Sequence, residues 1–268
     1  MIKTVIMDWA GTMVDYGSFA PVEAFRQLFL DHGIEVSADV IRKPMGRMKI
    51  DHLRDICQDE SVSKAWYSIY DRLPNEQDIQ TMYEAFEPKL FSLLEQFAVP
   101  VPGAVELADR LHEQGITIGT TTGYTRAMLD VIVPEAAKYG YKPDSVCAPD
   151  EAAAGRPHPW MIYRNAEQLG TYPMSSIVKC GDTEADMEEG RNAGVWTVGV
   201  VFGGNILGLT EQETSVLNEQ DKERMFNEVA ERLKKAGAHY VISEIGKLDE
   251  IIEQINIHTE AGEVQWQN

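Results

Sequence analysis

The chain reads as an α/β protein: a doubly wound, mostly parallel sheet covered by helices, with an all-helical segment inserted after its first strand. Three observations predict this. Strand and helix patterns alternate from Pro100 onward, residues 18–99 carry helical periodicity without an alternating strand, and the first apolar run ends on an acid, Asp8. Such alternation implies parallel strands joined by crossover helices on both faces. In open sheets of this kind the ligand lies beyond the carboxyl ends of the strands, where an inserted segment closes over it.

The elements follow in order. Ile2 to Met7 is a short β-rich run, and positions such as Val22, Phe25, Leu28 and Phe29, then Leu53 and Ile56, repeat at helical spacing. The second half is expected as helix 105–114, strand 116–121, helix 126–139, strand 145–148, helix 160–169, strand 176–180, helix 185–193 and strand 196–201. A long polar helix over 210–236, a strand over 239–242 and a helix over 245–255 complete it. Residues 1–17 and 100–268 then form the core and 18–99 a helical cap, while the polar, aperiodic tail 258–268 is expected to fray.

Bulk properties narrow the function. A 268-residue chain with 44% hydrophobic and 25% charged residues has the composition of a globular enzyme, and no apolar run approaches a membrane span. The chain opens directly on a strand rather than an export signal, and a cytoplasmic location is expected. Cys57, Cys147 and Cys180 are widely separated, which suits reduced, packed thiols better than a disulfide framework or a zinc site. The formal charge of −19 disfavours nucleic acid and anionic membranes. An anionic substrate then needs local cations or helix N-termini to overcome that field.

Three strand ends carry polar residues. Asp8, in Asp8-Trp9-Ala10-Gly11-Thr12, sits where a buried strand breaks into a Gly-Thr turn, a poor place for a core residue and a good one for a nucleophile or metal ligand. Thr120 to Tyr124 ends the second strand, where the hydroxyl of Thr122 and the backbone at Gly123 can hold phosphate oxygens; alone, such a turn more often only ends a strand. Asp182 and Asp186, four apart across a strand-to-helix junction, can share a hard cation, or one can cap the helix while the other stays solvated. Arg156, in Gly155-Arg156-Pro157, offers a fork for two phosphoryl oxygens.

In the inserted segment, Lys43 to His52 reads as a helix start with Pro44 in its first turn, which places Met45, Lys49 and His52 on one helical face. A lysine facing a closed, partly apolar site loses its proton more easily and becomes an amine that attacks carbonyls. His52 can then move protons.

The loop at Asp8 and the order of the three motifs resemble the haloacid dehalogenase-like (HAD) superfamily, whose phosphatases carry a second Asp where this chain has Ala10. That second Asp protonates a departing alkoxide, so here the leaving group must be handled otherwise. The resemblance narrows with Lys43-Pro44-Met45-Gly46, Lys49-Ile50-Asp51-His52, Thr121-Thr122-Gly123-Tyr124-Thr125-Arg126, Pro159-Trp160-Met161, Gly181-Asp182-Thr183 and Glu189-Gly190-Arg191-Asn192-Ala193-Gly194. In register to about Leu209, these are similar to the phosphonoacetaldehyde hydrolase (phosphonatase) family.

That resemblance implies hydrolysis of the P–C bond of phosphonoacetaldehyde to acetaldehyde and phosphate by a homodimer. It implies Asp8 as nucleophile, Lys49 as Schiff-base lysine, and Mg²⁺ held by Asp8, the Ala10 carbonyl and Asp182. It also implies Met45, His52, Thr122, Tyr124, Arg156 and Asp186 at or near the site, Asp186 directly or through a metal-bound water. Ser18 stands where some members carry Cys. Trp66, Tyr67 and Tyr70 suit either a dimer interface or the core. A haloacid dehalogenase would also dispense with the second acid but has no use for Lys49, Ala10 disfavours a phosphomonoesterase, and a silent ligand-binding fold would not need Asp8, Lys49, Asp182 and Asp186 together.

Overall fold

A computed structural model describes residues 1–260. Strand β1 (Thr4–Met7) is followed by five helices: α1 (Phe19–Asp31), α2 (Ala38–Arg42), α3 (Lys49–Gln58), α4 (Glu60–Tyr70) and α5 (Glu76–Leu94). Then come α6 (Ala104–Glu113), β2 (Thr117–Thr121), α7 (Arg126–Lys138), β3 (Ser145–Cys147), α8 (Trp160–Gln168), β4 (Ile177–Gly181), α9 (Glu184–Ala193) and β5 (Trp196–Val200). The chain continues through α10 (Glu211–Ser215), α11 (Glu219–Ala236), β6 (Tyr240–Ile242) and α12 (Leu248–Glu260).

The six strands form one parallel sheet in the order β3-β2-β1-β4-β5-β6. The order reverses around β1, so its carboxyl end lies at the topological switch point where such sheets bind ligands. Met7 pairs with Thr120 on one side and Cys180 on the other, which brings Asp8, Thr121 and Gly181 to one rim. Helix α1 packs on α5, and α3 on both α4 and α5. Phe25 stacks on Phe86 with ring centroids 4.2 Å apart, and this apolar cluster runs on into the sheet through Trp9 and Met13. No helix among the described residues is long and apolar enough to cross a membrane.

Three local expectations are corrected. The polar stretch 210–236 is two helices, because Asn218 caps α11 by accepting from the Asp221 N–H and so restarts the chain after α10. Pro44 lies in the turn between α2 and α3; Gly46 (φ 88°) and the extended Met48 interrupt helical geometry, and α3 begins at Lys49. The last helix starts at Leu248 and extends to Glu260, so residues 258–260 are helical, and the rest of the expected tail, 261–268, lies outside the described residues.

Candidate active site

Asp8 leaves β1 with its backbone N–H bonded to Cys180 O at 2.9 Å, which fixes the carboxylate at the switch point. Carboxylate oxygens of Asp8, Asp182 and Asp186 lie within 4.8 Å of one another, all buried. Burial raises the pKa of Asp8, and Arg156 opposes that. Asp182 goes well above the usual carboxylate range, through burial first and then repulsion by Asp8 and Asp186. Its Oδ1 accepts from Thr12 and its Oδ2 from the Asn205 N–H, at 3.0 and 2.6 Å. A buried, mutually repelling acid pair of this kind fits a divalent cation, which favours all-oxygen ligands.

Asp186 has different partners. Its Oδ1 lies 2.7 Å from Lys179 Nζ and 3.0 Å from Arg156 Nη1, and its other oxygen accepts from the Thr183 hydroxyl in a capping box at the start of α9. Burial pushes its pKa up, but the two cations more than offset this and hold it low. Arg156 is buried and fully committed: Nη2 to Asp8 Oδ1 at 2.7 Å and to Thr121 O at 2.6 Å, Nε to Glu189 Oε2 at 3.0 Å, and Nη1 to Gly46 O at 3.4 Å. Burial lowers its affinity for a proton, yet Asp186, Asp8 and Glu189 together raise it, so the guanidinium stays charged.

Lys49, the first residue of α3, is 3% exposed, and its Nζ lies 5.0 Å from the Tyr124 ring centroid. Burial pulls its pKa down to about 8, the negative charge of Asp8 opposing and the positive charge of Arg156 assisting. Asp8, Ala10, Ser18, Pro21, Met45, Gly46, Lys49, Thr122, Gly123, Tyr124 and Thr183 line one narrow cavity of about 20 Å³. Two glycines let its walls approach this closely. A Cβ on Gly46 would fall 2.5 Å from Thr183 Oγ1, and one on Gly123 would fall 2.3 Å from Arg47 O. A larger cleft, about 460 Å³ and lined by Lys43, Arg47, Asp55 and Glu184 among others, lies outside and does not reach Asp8.

His52 is placed differently from the rest. Its Nε2 is 2.7 Å from Ile41 O, its ring packs on Phe25, and it is not among the residues lining the cavity, although it sits one turn from Lys49. Burial, then the charge of Lys49, drives its pKa well below the ordinary value, so the ring is neutral with Nδ1 unpartnered.

Sequence reasoning missed Lys179 and Glu189 as site groups, together with Thr12, Thr183, Arg42 and Asn205. The signal for Lys179 is present: a lysine in the middle of Ile177-Val178-Lys179-Cys180, a strand buried on both faces, has to find a partner inside.

A family model for haloacid dehalogenase-like hydrolases matches residues 2–194. The chain is 48% identical over 254 residues to a phosphonoacetaldehyde hydrolase of Bacillus thuringiensis (strain Al Hakam), covering 95% of this chain and 96% of that one. It is 45% identical over 96% of its length to a bifunctional phosphonoacetaldehyde hydrolase/aminoethylphosphonate transaminase of Clostridioides difficile (strain 630), of which it spans 41%. The crystal structure of a phosphonoacetaldehyde hydrolase-like protein from Oleispira antarctica superposes with a TM-score of 0.95 at 36% identity, covering 97% of this chain and 95% of that one.

Proposed function

Because this chain belongs to the phosphonoacetaldehyde hydrolase family of the haloacid dehalogenase-like hydrolases, we propose that its site works through a Lys49 imine and an Asp8 aspartyl phosphate. The protein hydrolyses the P–C bond of phosphonoacetaldehyde to acetaldehyde and phosphate. The observation that carries the mechanism is that Lys49, buried and easily deprotonated, lines the same narrow cavity as Asp8 and Ala10.

Expelling a carbanion from phosphorus is very unfavourable, so the neighbouring carbonyl must first become an electron sink. The neutral Lys49 amine adds to the aldehyde carbon. Neutral His52, one turn away, takes the ammonium proton of this adduct through its free Nδ1, directly or through water, and returns it to the hydroxyl, which departs as water; a further proton from solvent on the nitrogen gives the protonated imine. Asp8 attacks phosphorus in line, and the P–C electron pair flows into the imine to give an enamine. No alkoxide departs, which is why a methyl group suffices at Ala10. Water then cleaves the aspartyl phosphate, the enamine carbon takes a proton, and imine hydrolysis returns Lys49 and releases acetaldehyde.

Arg156 holds Asp8 Oδ1, which leaves Oδ2 to attack phosphorus. Thr122, Gly123 and the guanidinium supply positive potential to the phosphoryl oxygens. Met45 and Tyr124 form an apolar wall that keeps the amine dry. Asp8, Asp182 and the Ala10 carbonyl, with Asp186 in support, would hold Mg²⁺, which would supply charge neutralisation at the phosphoryl group. A 20 Å³ cavity holds about one water, so residues 18–99 act as a cap that parts from the core formed by 1–17 and 100–260 to admit substrate.

The protein works as a cytoplasmic homodimer. Its three cysteines are buried and unpaired, which suits a reducing compartment. Trp66 is buried while Tyr67 and Tyr70 are exposed on α4, which leaves the two tyrosines for an interface. Borohydride reduction in the presence of phosphonoacetaldehyde tests the mechanism. A two-carbon adduct on Lys49 is expected by mass spectrometry, and turnover without any trappable adduct would exclude the imine.

A further inference from the structure

A chain of hydrogen bonds runs from the helical segment to Asp182. Arg42, the last residue of α2, donates from Nη1 to Gly17 O at 2.6 Å, to Asn205 Oδ1 at 3.1 Å and to Asn205 O at 3.3 Å. Asn205 returns a bond from Nδ2 to Arg42 O at 3.0 Å, and its backbone N–H donates to Asp182 Oδ2 at 2.6 Å. The loop is shaped to the guanidinium: Gly208 has φ 59°, and a Cβ there would fall 2.5 Å from Arg42 Nε. The guanidinium also lies 4.9 Å from the centroid of the Phe19 ring. Asn205 itself is buried.

Two properties make this contact more than packing. Asp182 is a buried acid facing two others, and the Asn205 N–H on its Oδ2 fixes how that oxygen is presented to them. Arg42 belongs to the segment that has to part from the core, whereas Asn205 belongs to the core. Opening withdraws the guanidinium from two acceptors on Asn205 and strands its Nδ2, so the loop at 203–208 keeps its backbone bonds, such as Gly17 N–H to Gly203 O, but loses the tie beside the N–H that reaches Asp182.

We propose that Asn205 is a positioning residue through which closure of the helical segment and metal binding at Asp182 are coupled, with Arg42 as the latch. The inference rests on the reading that Asp8 and Asp182 hold a divalent cation. Coupling of this kind is reciprocal: a cation that fixes Asp182 favours the closed Arg42–Asn205 contact, and closure tightens the cation site by the same factor.

The test uses the full chain and Mg²⁺ alone, with affinity measured by titration calorimetry and backbone opening by hydrogen exchange. In the native protein Mg²⁺ is expected to slow exchange at residues 203–208 and also at 38–43, which touch no metal ligand. Arg42→Met and Asn205→Ala are expected to bind Mg²⁺ at least about 5-fold more weakly, the low end of typical coupling, and to lose the protection at 38–43. Arg42→Lys should recover part of both. A purely structural role would lower thermal stability and leave Mg²⁺ affinity unmoved. Native protein that binds Mg²⁺ with no change in exchange at 38–43 would overturn the coupling, as would native affinity in folded Arg42→Met and Asn205→Ala. Native protein that binds no Mg²⁺ would overturn the metal reading, and the coupling with it. The native exchange measurement decides the matter even where a variant fails to fold.

Discussion

The Lys49 side-chain nitrogen sits 5.0 Å from the centroid of the Tyr124 ring, enclosed with it in the cavity that also contains Asp8. Burial there brings the lysine pKa to about 8, and only the neutral amine adds to an aldehyde. The value of kcat/KM should therefore rise with pH up to about 8 and level off above it, as initial rates across a buffer series will show.

The same shift has a stability consequence. The folded pKa of Lys49, about 8, lies below that of an unfolded lysine, roughly 10.4. Burying the ammonium therefore costs stability in full below pH 8, and the cost fades as pH climbs from 8 toward 10.5. Lys49→Met should be inactive yet more resistant to urea than native protein at pH 7, with the difference shrinking by pH 10. A gain that grows with pH would contradict the burial argument.

Lys49→Arg keeps a positive charge but cannot form the imine. It should fold normally and lose at least about 10³ in kcat, equivalent to about 4 kcal/mol of barrier. Circular dichroism and phosphate release check the two halves of that statement.

Ala10→Asp places an acid where superfamily phosphatases have one. It also adds a negative charge to the cavity that contains Lys49, and a nearby anion raises a lysine pKa. P–C cleavage should fall and the rising limb of the pH profile should move upward. A more active variant with an unmoved limb would show that a missing proton donor limits the native reaction.

Lys179 and Glu189 are buried and lie 3.6 Å apart, and Lys179 also pairs with Asp186 while Glu189 pairs with Arg156. Lys179→Met leaves Asp186 with one cation instead of two, and Glu189 with one fewer. Removing one member of such a buried set costs about 3 kcal/mol or more, so a large drop in the urea midpoint is expected, and a midpoint close to native would mean that the network relaxes freely.

Much of this protein was decided locally. The Asp8 loop, the turn from Thr120 to Tyr124 and the Asp182–Asp186 junction are legible as a set: the turn can merely end a strand and the acid pair can merely cap a helix, but three polar strand ends in one order have few purely structural uses. Element order follows from hydrophobic period, which the chain carries residue by residue. Boundaries slipped where short-range geometry competes with period: Gly46 and Met48 delay α3 to Lys49, and Asn218 cuts one expected helix into two.

Tertiary structure alone decided who meets whom. Met45 reaches the cavity from a turn rather than a helix, His52 turns its Nε2 to Ile41, and Arg156 finds Asp8, 148 positions away, at the rim of the sheet. Nor can spacing reveal that Arg42 and Asn205, 163 positions apart, share three hydrogen bonds. The sequence determines which residues are costly to bury. The pairings that make burial tolerable, and that set each pKa, arise from contacts between distant segments, and these exist only once the sheet has ordered its strands.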